Sequence, residues 1–334
     1  MSKAETPRNI TMRAIVQDTY GSAEVLRLDR IARPQIADDE VLVQVRAAGL
    51  DRGTWHMMAG QPYLLRLLGF GFRGPKNRVP GLDVAGTVAE VGSAVTRFST
   101  GDEVFGISRG SFAEYAAVRE DKLSRKPANL TFVQAAVVPI SAGTALQGLT
   151  DAGRVEAGQR VLVIGASGGV GSYAVQLAKA FGAEVTGVAS TAKLDFVTSL
   201  GADHVIDYTS QDFADGSHTY DLILDIAGNA SLSRLRKALT PTGTLVIVGG
   251  EEGGKFTGGF GRSLRAPLLS PFVPQRLTML ASKERATDQE RLTPFIEAGQ
   301  VTPSIDGIYP LEAAADAMRH LATGQVRGKA AISI

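Results

Sequence analysis

Residues 161–171 read Val-Leu-Val-Ile-Gly-Ala-Ser-Gly-Gly-Val-Gly, and no other stretch narrows the possible folds of this chain so far. Four consecutive apolar residues closed by glycine predict a strand buried on both faces, the environment of a parallel sheet. Ala174, Val175, Leu177, Ala178 and Phe181 follow at helical spacing, which predicts a helix over Ser172–Phe181. Strand, glycine turn and helix in that order make the phosphate-gripping start of a dinucleotide-binding fold. In this reading Gly165 permits the turn and the backbone of Ser167, Gly168, Gly169 and Val170 approaches a pyrophosphate at the positive end of the helix. Gly171 lets helix and strand pack closely. The glycine spacing is GxxGxxG, so the motif takes its weight from the strand and helix around it.

A preference between the two nicotinamide dinucleotides is legible just downstream. The predicted strand Glu184–Val188 runs into Ala189-Ser190-Thr191-Ala192-Lys193. An NAD site places Asp or Glu near the end of that strand, to accept from the adenosine ribose hydroxyls. Here no carboxylate follows until Asp195, and Ser190, Thr191 and Lys193 offer hydroxyls and a cation instead. They are read as holders of a 2′-phosphate, which favours NADP(H). The competing reading has Ser190 and Thr191 capping the next helix and Lys193 as a solvated charge.

With 334 residues the chain is long enough for two cores, and 44% hydrophobic with 21% charged residues is ordinary globular composition. A net charge of +1 offers no general field for nucleic acid or an anionic membrane, and no apolar run is long enough to span a bilayer. The stretch Met1–Thr11 is polar and holds no apolar signal core, so a cytoplasmic protein is expected. The chain has no cysteine, which excludes disulfides, thiolate metal sites and cysteine nucleophiles. The four histidines show no metal spacing.

The pattern changes along the chain. Up to about residue 135, short β-branched runs between glycines predict strands at Arg13–Gln17, Val41–Ala47, Ala85–Val91 and Glu103–Gly106. From about residue 140, strands and helices alternate, with strands at Val161–Ile164, Glu184–Val188, His204–Ile206, Leu222–Asp225, Leu245–Val248 and Leu277–Leu280. That predicts an α/β fold with a doubly wound, six-stranded parallel Rossmann sheet beside a mainly β domain. A helix near Gln289–Glu297, an extended piece at Ile305–Tyr309, a helix over Leu311–Leu321 and a strand at Ala330–Ile334 end the chain. This tail is expected to return to the β domain, dividing the chain into 1–139, a nucleotide-binding domain at 140–282, and 283–334. Two stretches, Gly60–Pro80 and Gly249–Pro274, read as long loops, either lids or surfaces packed on a second subunit.

Several segments together resemble the medium-chain dehydrogenase/reductase superfamily, in its zinc-free, zeta-crystallin-like quinone oxidoreductase branch, over nearly the whole chain. They are Pro80-Gly81-Leu82-Asp83-Val84-Ala85-Gly86, Gly101-Asp102-Glu103-Val104-Phe105-Gly106, Gly110-Ser111-Phe112-Ala113-Glu114-Tyr115, the glycine turn, and Arg327-Gly328-Lys329. The resemblance implies that the β domain is GroES-like and that the protein is a homodimer. Zinc-dependent members carry Gly-His-Glu where this chain has Gly81-Leu82-Asp83, and a ligand cysteine where it has Asp51. Leu82 cannot bind a metal, and two carboxylates do not complete a tetrahedral zinc site, so no metal is expected. Without a Lewis acid to lower an alcohol's pKa, reduction of an electrophilic acceptor is favoured over alcohol oxidation.

The resemblance also assigns candidate roles. Asp51 stands where zinc-free relatives carry an asparagine in the substrate cleft, and is read either as a substrate hydrogen-bond or proton-relay group or as a turn-forming residue. Tyr63 resembles the aromatic of the substrate mouth, with lid packing as the alternative, and core packing is favoured for Trp55. Thr144 resembles a residue of the nicotinamide pocket, with purely local bonding as its alternative. Tyr208 resembles a residue at the adenosine end, against simple surface packing, and Ala227, Gly228, Gly249 and Gly250 follow strands at the edge where cofactors bind. Lys329 is read either as reaching the cleft from the tail or, the favoured reading, as a solvated charge. Leu64, Leu65, Leu67, Leu68, Phe70 and Phe72 suggest an apolar acceptor of some size, or a lid core. The expected activity is NADPH-dependent, zinc-independent reduction of quinones or α,β-unsaturated carbonyls. The alternatives are an enoyl reductase of a lipid or polyketide pathway and a non-catalytic NADPH-sensing or RNA-binding relative.

Overall fold

A computed structural model describes residues 10–64, 66–228, 230–250, 254 and 256–334. The N-terminal portion contributes β1 (Thr11–Val16), β2 (Arg27–Ala32), β3 (Glu40–Leu50), β4 (Asp83–Val91), β5 (Glu103–Ile107), β6 (Tyr115–Arg119) and β7 (Leu123–Arg125). Helix α1 (Arg52–Ala59) follows β3, and α2 (Phe132–Ala135) and α3 (Pro139–Gln147) lead into the second half. There β8 (Arg160–Ile164), β9 (Glu184–Ala189), β10 (His204–Asp207), β11 (Tyr220–Asp225), β12 (Leu239–Ile247) and β13 (Arg276–Met279) alternate with α4 (Gly169–Ala180), α5 (Leu194–Ser199), α6 (Leu232–Lys237) and α7 (Phe260–Leu269). The chain closes with α8 (Ala286–Glu297), β14 (Ile305–Pro310), α9 (Ala314–Ala322) and β15 (Lys329–Ser333).

Strands β8 to β13 form one parallel sheet in the order β10-β9-β8-β11-β12-β13. The order reverses between β8 and β11, the switch point at which such sheets open a crevice. Both faces are covered. Along β8, Val161 and Val163 enter the core that holds α3, α4 and α8, and Leu162 and Ile164 enter the core beneath α6 and α7. That two-sided burial, worth about 1.5–3 kcal/mol per large aliphatic side chain, is why the strand reads as an unbroken apolar run.

The second sheet has seven strands, ordered β14-β15-β3-β4-β5-β7 with β6 also on β3. It takes strands from both ends of the chain, since β15 pairs antiparallel with β3 at Ala331↔Gly49 and Ala330↔Leu50. β3 carries alternate Val41, Val43 and Val45 into a buried cluster with Val84, Val104 and Val118.

Several expectations shift in detail. The helix after the glycine turn starts at Gly169, three residues before the expected start at Ser172, because turn glycines carry no apolar signal. Gly249–Pro274 is not one long loop but contains α7, whose exposed Leu264 and Leu268 and internal Pro267 hide its period. β12 lies between β11 and β13, and β13 is the edge strand on that side of the sheet.

Candidate active site

A cleft of about 580 Å³ opens between the two sheets. One wall is the C-terminal edge of the parallel sheet, with Gly165, Ile226, Ala227, Val248, Gly249 and Met279. The other is built by α1, α3 and the C-terminal segment, with Asp51, His56, Ser141, Thr144, Val326 and Lys329.

At the centre the glycine turn has the geometry its sequence requires. Gly165 sits at φ 88°, and a Cβ on Gly171 would stand 2.1 Å from the Gly165 carbonyl oxygen. Ser167, Gly168, Gly169 and Val170 line the cleft at the first turn of α4, with Gly168 as its N-cap. Ala227, Gly249 and Gly250 line it as well, whereas Gly228 supports from behind, with φ 80° and a Cβ position 2.6 Å from the Gly250 Cα. Arg262 of α7 closes this side. It donates to the buried Asp225 carboxylate, to the Ala230 carbonyl and to the Gly249 carbonyl. Burial raises the Asp225 pKa, and the guanidinium opposes that rise.

At the β9 end, Lys193 lines the cleft, and its ammonium donates to the carbonyls of Gly324 and Val326 at 2.8 and 2.9 Å. Ser190 and Thr191 are not among the cleft-lining residues, and Tyr208 is 60% exposed outside it. Two neighbours were not legible in sequence. Asp207, at the tip of the adjacent β10, accepts from Thr191 Oγ1 and from Thr209. Arg327 donates to the Ala192 carbonyl at 3.0 Å, which places a second cation beside Lys193. A carboxylate does stand near this strand tip, then, but it arrives from the neighbouring strand with its oxygens already hydrogen-bonded.

At the opposite end, Asp51 takes the turn-forming position and also faces the cleft. It is the N-cap of α1, accepting from Thr54 N at 2.7 Å, and it lines the cleft while only 6% exposed. Thr144 lines the cleft and also donates to the Ile140 carbonyl at 2.7 Å. Tyr63 is not a lining residue; Pro62 takes that place, and the Tyr63 ring is covered by the Arg66 guanidinium at 4.6 Å. Trp55 packs against the core beneath α9, while His56 reaches the cleft with Nδ1 on the Gln61 carbonyl. The apolar run of the first loop does not form the acceptor pocket. Leu67 and Phe72 are 63% and 73% exposed, and neither they nor Leu64 and Phe70 line the cleft. Leu65 lies outside the described residues, as do residues 1–9 and the side chains of Leu68 and Phe260.

Lys329 follows the less favoured of its two readings: it reaches the cleft and is not a solvated charge. Its side chain is 1% exposed and its Nζ lies 3.3 Å from Asp83 Oδ2 and 3.0 Å from Ser141 Oγ. Asp83 is fully buried and accepts from Ile140 N at 2.8 Å. Burial pushes its carboxyl up to about 7 against the pull of the Lys329 ammonium, and the charge of Asp51 pushes the same way as burial. A lone ammonium would not be buried here; the carboxylate partner makes it possible. Only their separation by 246 residues concealed the pair.

Comparison with known proteins places this geometry. Residues 37–128 match the family model "Alcohol dehydrogenase GroES-like domain" and residues 200–332 match "Zinc-binding dehydrogenase". The chain is 35% identical to the 2-methylene-furan-3-one reductase of Solanum lycopersicum, over 98% of this chain and 82% of that protein. It is 36% identical to the chloroplastic NADPH-dependent alkenal/one oxidoreductase of Arabidopsis thaliana, over 96% and 79%. The quinone oxidoreductase structure from Coxiella burnetii superposes with a TM-score of 0.85 at 29% identity, covering 97% of this chain and all of that one. The chain belongs to the medium-chain dehydrogenase/reductase superfamily, in its zinc-free branch, and is an oxidoreductase.

The metal in the second model's description does not fit these residues. Leu82 is an apolar side chain, Asp83 is occupied by an ammonium, and among the described residues no group of three His, Cys, Asp or Glu is placed to hold a metal ion.

Proposed function

We propose that this chain is an NADPH-dependent, zinc-independent reductase of α,β-unsaturated carbonyl compounds or quinones. The observation that carries the reading is the joining, in one cleft, of the glycine turn at the sheet's switch point to a wall that offers carboxylate, hydroxyl and ammonium groups but no metal donor set. The names of the relatives agree with it. NADPH, when bound, supplies the hydride. Ser167, Gly168, Gly169 and Val170 would hold its pyrophosphate at the α4 N-terminus, and Ala227, Gly249 and Gly250 let the dinucleotide lie close to the strand ends. Thr144 would orient the nicotinamide. Lys193 supports NADP over NAD, with Arg327 beside it; Asp207 opposes that preference, and its bonds to Thr191 and Thr209 soften the opposition. The earlier roles for Ser190, Thr191 and Tyr208 rest on side-chain movement toward the cofactor, and that for Tyr63 on closure of its loop.

We take 1–139, 140–282 and 283–334 as the domain division and a cytoplasmic location as part of the same proposal, which cell fractionation tests. A homodimer is supported by the edge strand β13 and the exposed Leu264, Leu268 and Phe272 beside it, and light scattering tests it. The deciding assay is oxidation of NADPH and of NADH by the chelator-treated protein with enones, quinones and an enoyl thioester. Chelator-resistant, NADPH-preferring turnover of an enone or quinone supports the reading. Turnover confined to the thioester moves it to an enoyl reductase, and tight NADPH binding without turnover to a sensor.

A further inference from the structure

The floor of the cleft holds a buried cation whose contacts point in one direction. Lys329 is positioned through its backbone: Gly328 N donates to the Ser167 carbonyl of the glycine turn, and Lys329 N donates to the Ser304 carbonyl. Its side chain runs past the first residue of α4, where a Cβ on Gly169 would stand 3.1 Å from Lys329 Cδ and 3.2 Å from Ser141 Oγ. The opposing carboxylate also has its space cleared. A Cβ on Gly49 would stand 2.7 Å from Asp83 Oδ2, so the strand beside it carries glycine.

The hydrogens of this group have a polarity. An ammonium only donates, so Ser141 Oγ accepts from Lys329 Nζ at 3.0 Å. The serine's own hydrogen then points elsewhere. Among the described residues Ser141 Oγ has no other recorded partner, and Ser141 lines the cleft one helical turn before Thr144. Ionised above about pH 7, Asp83 has no proton to give to the cleft, and its Oδ1 accepts from Ile140 N and its Oδ2 from the ammonium. The order is therefore Asp83, Lys329, Ser141, cleft. A buried ion pair is a poor source of stability compared with apolar packing, so its presence at the site needs a chemical reason.

We propose that Lys329, acting through the Ser141 hydroxyl, is the proton source of the reduction, with Asp83 the positioning residue that holds the ammonium. The inference rests on the reductase reading above. Hydride addition to the β-carbon of an enone leaves an enolate with an electron pair to be protonated. The Ser141 O–H bond breaks and its proton goes to the α-carbon of that enolate. Ser141 Oγ takes a proton from Lys329 Nζ, and the neutral amine regains one from solvent. With a quinone the same proton goes to the oxygen.

The test is reduction of an α-methyl enone by NADPH in D₂O, with the configuration at the deuterated α-carbon read by NMR and NADPH affinity read separately by fluorescence titration. The wild type places deuterium on one face. S141A, which removes one oxygen and leaves the ion pair in place, is expected to bind NADPH as before and label both faces. Its kcat should fall about 100-fold, the lower range for loss of a general acid. K329R keeps the charge but holds its proton too tightly to release it, and should behave like S141A. K329M gives the same result without the charge, and D83N/K329M replaces it if the lone Asp83 carboxyl prevents folding. One-face labelling at wild-type kcat in S141A and K329R overturns the proposal. So does a loss of NADPH affinity in K329R with labelling unchanged, which would make Lys329 a cofactor-holding residue only. Failure of the parent reading looks different, because the wild type itself would then reduce no enone or quinone.

Discussion

At the residue scale, Asp83 is where burial and charge compete most openly. Its folded-state pKa of about 7 lies above the ordinary 3.8, so between those values the folded chain keeps a proton that the unfolded chain has lost. The stability tied to that proton is complete below about pH 4 and is lost as the pH rises through about 7. D83N has no such proton to lose, so its Tm is expected to rise relative to wild type as the pH is raised from about 4 to about 8. A constant difference in Tm across that range would count against the raised value. Lys193 carries a second prediction: K193M should lower the ratio of kcat/KM for NADPH to that for NADH by about tenfold or more, the scale of one charged hydrogen bond. The burial of Lys329 was not legible at this scale, because a lysine's solvation depends on its partner, and Asp83 comes from a different part of the chain.

At the element scale, what could be read and what could not divide by the visibility of a period. β8 and its glycine turn were legible because two-sided burial leaves a plain apolar run and the turn geometry admits no Cβ. G171A forces a methyl to within about 2 Å of a carbonyl oxygen, an overpacking worth about 1–3 kcal/mol or more, which a shift in urea midpoint would show. α7 was not legible, since exposed Leu264 and Leu268 and the internal Pro267 hide its period, and Ala266 is its one fully buried apolar side chain among the described residues. Arg262 ties it to Asp225 on β11, the Ala230 carbonyl and the Gly249 turn. R262A leaves the Asp225 carboxyl buried without its counter-charge, and should cost about 3–5 kcal/mol in denaturant unfolding. A change of less than about 1 kcal/mol would mean the helix is held by Ala266 packing instead.

At the scale of the whole molecule, the two glycine-rich stretches meet each other. Leu64 N donates to the Phe256 carbonyl at 3.0 Å, and a Cβ on Gly258 would stand 2.5 Å from Pro62 Cγ. Pro62 and Gly259 both line the cleft, so this junction roofs it. NADPH is expected to slow hydrogen exchange at the Leu64 amide while leaving exchange in β5, away from the cleft, unchanged. Equal protection with and without NADPH would make the junction a fixed wall.

Local chemistry written in consecutive residues was enough to determine the parallel sheet, its glycine turn and the return of the tail toward the β domain. Those features depend on apolar periodicity and on where glycine alone fits. Tertiary structure alone decided which polar groups share the cleft floor, that Asp207 and Arg327 flank the β9 tip, and that the two loops join each other over the cleft. A polar side chain's state is set by the dielectric and the partners around it, and distant segments bring both. Lys329 is the clearest instance: its sequence neighbours suggest a solvated charge, and Asp83 and Ser141 make it a buried one.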